Sequence, residues 1–130
     1  MDTTALSDLL VSQAAMEGAR VQLRSLIPGS HVEFFASLDL VHHEEDYLFV
    51  HAGLRPGVAP GEQKENDLIW IRNDFLNSDA NFGKIVVHGH SVIDRPILGK
   101  NKIGIDTGAW RSDVLTCLMV DGEQRCFLST

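Results

Sequence analysis

The order of hydrophobic patterns predicts an α+β fold or layered αβ sandwich, with N-terminal helices followed by a largely β half. Three observations predict it. Residues 1–40 carry helical spacing without strand-like alternation. Two apolar, β-branched runs, "DYLFVHAG" and "KIVVHGH", each end in a histidine followed by small residues. Near the C-terminus, Asp121-Gly122 joins two further strand-like runs, a strong hairpin signal.

The elements follow in order. Residues 5–26 read as a helix in which Leu6, Leu9, Leu10, Ala14, Val21 and Leu26 form a rough apolar stripe. Ser7 or Asp8 can cap its first turn, and Gly18 marks a point where it can break. "IPGS" turns the chain, and Ser30 reads as the N-cap of a short helix, "HVEFFASL", with Glu33 completing a capping box. "VHHEED" reads as a polar connector into the first buried strand. "LRPGVAPGEQKEND" is a Pro/Gly-rich loop, and Leu68, Ile71 and Phe75 give one helix near 66–76. The second buried strand ends at His90, and "KIGIDTGAW", "DVLTCLMV" and "QRCFLST" supply three more. A single domain spanning 1–130 is expected, helical over 1–40 and mixed over 41–130.

Bulk properties narrow the function classes. A chain of 130 residues can bury a core of its own. No apolar run approaches the ~18–20 residues that span a bilayer, so no membrane partner is expected. The net charge of −7 and the lack of a basic stripe argue against a nucleic-acid partner. The N-terminal "MDTTALSDLL" lacks the basic cluster of a signal peptide, which predicts a cytoplasmic location. Cys117 and Cys126 fall on consecutive strands without C-x-x-C spacing and are expected as core thiols.

Six histidines are the first candidates for chemistry. His31, on the first turn of a helix, and His42 and His43, in a polar connector, read as solvated side chains. His51 and His90 differ, because each stands where an apolar strand ends and a small-residue turn begins. Imidazoles at the C-terminal ends of neighbouring strands share the crevice in which layered α/β proteins hold ligands. Two imidazoles do not complete a catalytic zinc site, which takes three protein ligands and a water. Arg72, in "LIWIRND", offers a planar fork suited to a phosphate or carboxylate. A competing signal is Asp106-Thr107-Gly108-Ala109, the signature of dimeric aspartic proteases. Only 24 residues follow Asp106, too few for the flap and closing strand such proteases need, and a long helical N-terminal quarter has no place in that all-β fold.

Together these segments resemble a known family. From about Ile27 to Leu128 the chain is similar to the C-terminal half of a bacterial calcineurin-like metallophosphoesterase of the phosphoprotein phosphatase type. That group includes serine/threonine protein phosphatases and symmetrical diadenosine tetraphosphatases. The matching order is "DYLFVHAGLRPG", "DLIWIRNDFL", "VVHGHSV", "IGIDTGAW" and "LTCLMVDGEQRCFLST". The resemblance implies that His51 and His90 are ligands of the second metal and that Arg72 grips the substrate phosphate. It implies supporting places around the site for His88, Ser91, Thr107 and Gly108. The implied reaction is metal-dependent phosphoester hydrolysis, by in-line attack of a hydroxide bridging two cations (Mn, Fe or Zn) on a phosphorylated protein or a dinucleoside polyphosphate.

The departures shape the expectation as much. The family's "GD-x-H", "GD-x-x-D-R-G" and "GNHE" blocks do not occur in these residues, so no catalytic acid is expected here and at most one weak metal site. The resemblance thus implies a partial domain, whether a truncated product, an excised fragment or a standalone half, inactive alone. The face that would meet the other half is expected to drive homodimerisation or partner association. A non-catalytic metal-binding or interaction module is the alternative. Asp113 stands where these relatives commonly have Gly, which leaves its local geometry open.

Overall fold

The computed structural model describes residues 3–130, with side chains up to residue 12 outside that description. The chain divides into two compact units, one reaching to Leu38 and the other spanning Asp39–Thr130.

The first unit holds α1 (Thr3–Leu26) and α2 (Gly29–Ala36). Helix α1 runs unbroken through Gly18, because one interior glycine costs only about 1 kcal/mol. Ser7 and Asp8 fall inside α1 rather than at its start. The Ser30–Glu33 capping box does not form. Pro28 (φ −58°, ψ 141°) takes the cap position, and its carbonyl accepts from His31 and Val32 N–H at 3.0 and 3.4 Å. Proline thereby starts the helix before Ser30 can cap it. From Gln13 to Leu38 every side chain of this unit is exposed, including Val21, Leu26, Phe34 and Phe35. Leu6, Leu9 and Leu10 of the expected stripe lie outside the described side chains. No helix among the described residues is long and apolar enough to cross a membrane.

The second unit is mixed αβ. A five-stranded sheet has the order β1-β2-β3-β5-β4, with β1 Val41–Glu44, β2 Tyr47–Val50, β3 Ile85–His88, β4 Ile97–Leu98 and β5 Lys102–Gly104. Strands β2, β3 and β5 run parallel, and β1 and β4 are antiparallel edges. "VHHE" is therefore an edge strand rather than a connector. Glu45, at φ 42°, closes the tight turn that folds it back on β2. Between β2 and β3 come a 3-10 turn at Pro60–Glu62, then α3 (Glu65–Trp70) and α4 (Asn73–Leu76). After β5, α5 (Ala109–Ser112) leads to a separate hairpin of β6 (Thr116–Asp121) and β7 (Gln124–Ser129).

Strand alternation sorts the core into two layers. Leu48, Val50 and Val86 pack with Leu68, Ile71 and Phe75 of the helices. Tyr47, Val87 and Ile103 pack with Leu118, Val120 and Phe127 of the hairpin. The same period of two turns Cys117 and Cys126 outward, and both thiols are exposed rather than in the core. Asp113 adopts φ 57°, a left-handed conformation that Asp tolerates better than most residues.

Candidate metal and phosphate site

The parallel pairing of β2 and β3 decides where the histidines go. Tyr47, Leu48 and Phe49 pair with Ile85, Val86 and Val87, so both strands end at the same level. Just past those ends, the Gly89 N–H donates to the His51 carbonyl at 2.9 Å, tying the two turns together. His51 Nε2 and His90 Nδ1 then face each other at 3.2 Å.

The backbone pays locally for this placement. His90 holds φ 61°, a region L-residues rarely occupy and one that concentrates at functional sites. Gly89 cannot be enlarged freely, since a Cβ there would lie 3.4 Å from Asp106 Cβ and 3.7 Å from the His51 carbonyl. Gly53 has no such choice at all: at φ 152°, a Cβ would stand 2.3 Å from Phe75 Cδ1.

Electrostatics around His90 favour its neutral form. Burial holds His90 below its ordinary pKa, reinforced by the charge of Arg72 and by His51, while Asp106 and the Trp70 carbonyl oppose. His90 Nε2 is buried without a hydrogen-bond partner. Two nitrogens bound to one zinc at about 2.0–2.1 Å stand roughly 2.8–3.4 Å apart for angles between octahedral and tetrahedral. The observed separation fits a shared cation as well as it fits one N–H···N bond. Among the described residues no three His, Cys, Asp or Glu side chains cluster to hold a metal.

Arg72 reaches the site through a broken helix. One helix near 66–76 was expected, but α3 ends at Trp70 and α4 starts at Asn73. The Ala52 N–H, one residue past His51, takes the Leu68 carbonyl at 2.8 Å. A continuous helix would give that carbonyl to Arg72 N–H. The break leaves Ile71 buried and Arg72 exposed, close enough to His90 to affect its titration. Among the described residues no carboxylate pairs with Arg72.

Neither a family model nor a curated protein sequence matches the chain.

The remaining predicted residues divide. His88 is buried in the helix-side layer, its ring edge-to-face with Phe75 at 5.0 Å, and it supports the end of β3 rather than the histidine pair. Ser91 is buried beside His90 with an unpartnered Oγ. Thr107 Oγ1 donates to the Val114 carbonyl at 2.8 Å or shares a proton with Thr116 Oγ1 at 2.9 Å, fastening the turn to β6. Gly108, at φ 67°, receives the Asp106 carboxylate on its N–H at 2.9 Å and leaves no room for a Cβ, which would lie 2.7 Å from Val92 Cγ1.

One structural clamp escaped the sequence reading. The Arg55 guanidinium grips Asp67 with two bonds of 2.8 and 2.6 Å and reaches Asp74 at 3.0 Å. Gln63 fixes the Arg55 backbone from both sides. The Arg55 hydrogen bonds hold Asp67 below its usual carboxylate range, against the opposing effect of burial. The signal was available, since Asp67 and Ile71 are four apart, on one face of the helix expected near 66–76, and a carboxylate beside a core residue needs a cation. A cleft of about 640 Å³, lined by residues that include Asp46, Lys84, Lys100 and Arg125, opens at the starts of β2, β3 and β5. It lies at the opposite end of the strands from the histidines and takes no part in their chemistry.

Proposed function

We propose that residues 39–130 carry the second-metal and phosphate-gripping half of a metal-dependent phosphoester hydrolase of the calcineurin-like type. The observation that carries this is the facing pair His51 Nε2 and His90 Nδ1 at 3.2 Å on the ends of adjacent parallel strands. Arg72 is near enough for its charge to affect His90 and, among the described residues, has no carboxylate partner. The order of the five motifs supports the same reading, as does the positive φ of Asp113, where the resembling enzymes commonly have Gly.

In this reading His51 and His90 would hold one divalent cation through those two nitrogens, with the His90 proton on Nε2. The cation supplies charge stabilisation at the phosphoryl oxygens and acidifies water. Arg72 binds the phosphoryl oxygens with its fork and orients the phosphorus. Asp106 braces the Gly108 turn and partly offsets the positive charge near His90. Among the described residues this reading assigns none to protonate the leaving group, a service worth about 10²–10⁴-fold in rate.

Complementation tests the proposal. The 130-residue chain with Mn²⁺ should hydrolyse p-nitrophenyl phosphate negligibly. Mixing or fusing it with the N-terminal half of a phosphoprotein-phosphatase-type enzyme should restore Mn²⁺-dependent turnover, and His90→Ala should abolish it. A folded but inactive mixture would favour the non-catalytic metal-binding or interaction module instead.

A further inference from the structure

We propose that the cleft at the starts of β2, β3 and β5 binds a small zwitterion, a molecule of the amino-acid or short-peptide class with one carboxylate and one ammonium. The site is independent of the histidine pair at the other end of the same strands. Its volume of about 640 Å³ falls within the roughly 300–1,000 Å³ of small-molecule sites.

The lining decides the class of ligand. Apart from Tyr47 and Ile85 it consists of charged residues, asparagines and glycines, so it suits a polar molecule. Three cations, Lys84, Lys100 and Arg125, share the cleft with three carboxylates, Asp46, Asp79 and Glu123. Among the described residues no ion pair joins any two of these six. A dianion would be repelled by the carboxylates and a dication by the cations, whereas a molecule carrying both charges gains from both sets.

Arg125 is the anchor. Its Nε donates to the Tyr47 hydroxyl at 2.8 Å, and the guanidinium carbon stands 5.6 Å from the centroid of that ring. Tyr47 is buried in the layer it shares with Val87 and Ile103, so it holds the guanidinium from a fixed position. With Nε occupied and the terminal nitrogens without a partner among the described residues, the end-on fork is left to take a carboxylate. Lys84 is drawn instead to the Glu45 carbonyl.

The 130-residue chain can be titrated with alanyl-alanine, N-acetyl-alanyl-alanine, alanyl-alanine amide and free alanine. Tyr47 is the sole tyrosine of the sequence, so its ring resonances report the cleft unambiguously. Alanyl-alanine should bind about tenfold or more tighter than either blocked form, since each block removes hydrogen bonds to a charged group. Free alanine binding as tightly as the dipeptide assigns the cleft to amino acids, and weaker binding assigns it to short peptides. Arg125→Lys keeps the charge without the fork, and should bring alanyl-alanine down to the affinity of its amide. Asp79→Asn/Glu123→Gln alters two exposed side chains and guards against a loosened Tyr47 in the first variant. It should weaken alanyl-alanine and its amide alike and leave the N-acetyl form unchanged. Equal affinities for the dipeptide and its two blocked forms, or an N-acetyl form that binds as tightly as the dipeptide, would overturn the proposal. So would shifts at the His51 and His90 imidazoles in place of Tyr47.

Discussion

Enlarging Gly53 by one methyl group should unfold much of the second unit's stability. A Cβ built there lies 2.3, 2.5 and 2.8 Å from three atoms of the Phe75 ring. That ring cannot retreat, because Phe75 is fully buried, with His88 against it and the Lys102 ammonium 4.9 Å above its centroid. Overpacking costs about 1–3 kcal/mol and a strained positive φ another 1–3, so Gly53→Ala should lose about 2–6 kcal/mol. Small domains hold only about 5–15 kcal/mol in total. In urea, with a slope of about 1–3 kcal/mol per molar, the circular-dichroism midpoint should drop by about 1 M or more. Phe75→Leu removes the ring that clashes, so Gly53→Ala/Phe75→Leu should be less destabilised than the sum of the singles by at least about 0.5 kcal/mol. A midpoint unchanged in Gly53→Ala, or strictly additive singles, would refute the packing described between the His51 turn and α4.

Three more outcomes follow from particular contacts. Burial, with help from the Lys102 charge and against the Gly89 carbonyl, holds His88 below its ordinary value of 6.5. The unfolded chain therefore takes up a proton first as pH falls through that value, and stability complete above it is lost below it, by at most about 1.4 kcal/mol per pH unit. The urea midpoint should differ less between pH 7.5 and 5.5 in His88→Leu than in the parent, and equal differences would contradict this. Thr107→Val strips the bonds to Val114 and Thr116 inside a buried turn and should cost about 1–3 kcal/mol in urea unfolding, whereas a neutral effect would mean the turn is not fastened there. Asp67→Asn breaks the grip on Arg55, so it should lower the urea midpoint and weaken inorganic phosphate binding through Arg72. A stability loss with phosphate affinity intact would show that the clamp does not position Arg72.

Much of the second unit was legible because its signals are local. Apolar runs ending in His-Gly or His-Ala-Gly read as strands, and Asp121-Gly122 read as a hairpin whose two-residue loop is Gly122–Glu123. What failed depended on distant partners. The helix expected near 66–76 breaks because Ala52, remote in sequence, claims the Leu68 carbonyl. Edge strand β1 hid inside a polar segment because its pairing is supplied by β2 and its His42, His43 and Glu44 side chains stay exposed. Cys117 and Cys126 read as apolar and buried, but only the strand register decides which side of the hairpin they face. At the site, His51 and His90 were found from strand ends, and the resemblance rather than periodicity separated them from His88. Arg72 could be named from its type, while its freedom from carboxylates required the three-dimensional arrangement.

Mn²⁺-induced broadening of the histidine imidazole resonances tests the proposed metal site most directly. At neutral pH and substoichiometric Mn²⁺, the signals of His51 and His90 should broaden together and first. His88 should broaden later, and His90→Ala should abolish the effect at His51. Broadening that begins at His42 and His43, where an exposed His42 stands 3.5 Å from Glu44, and spares His51 and His90 would contradict the metal site.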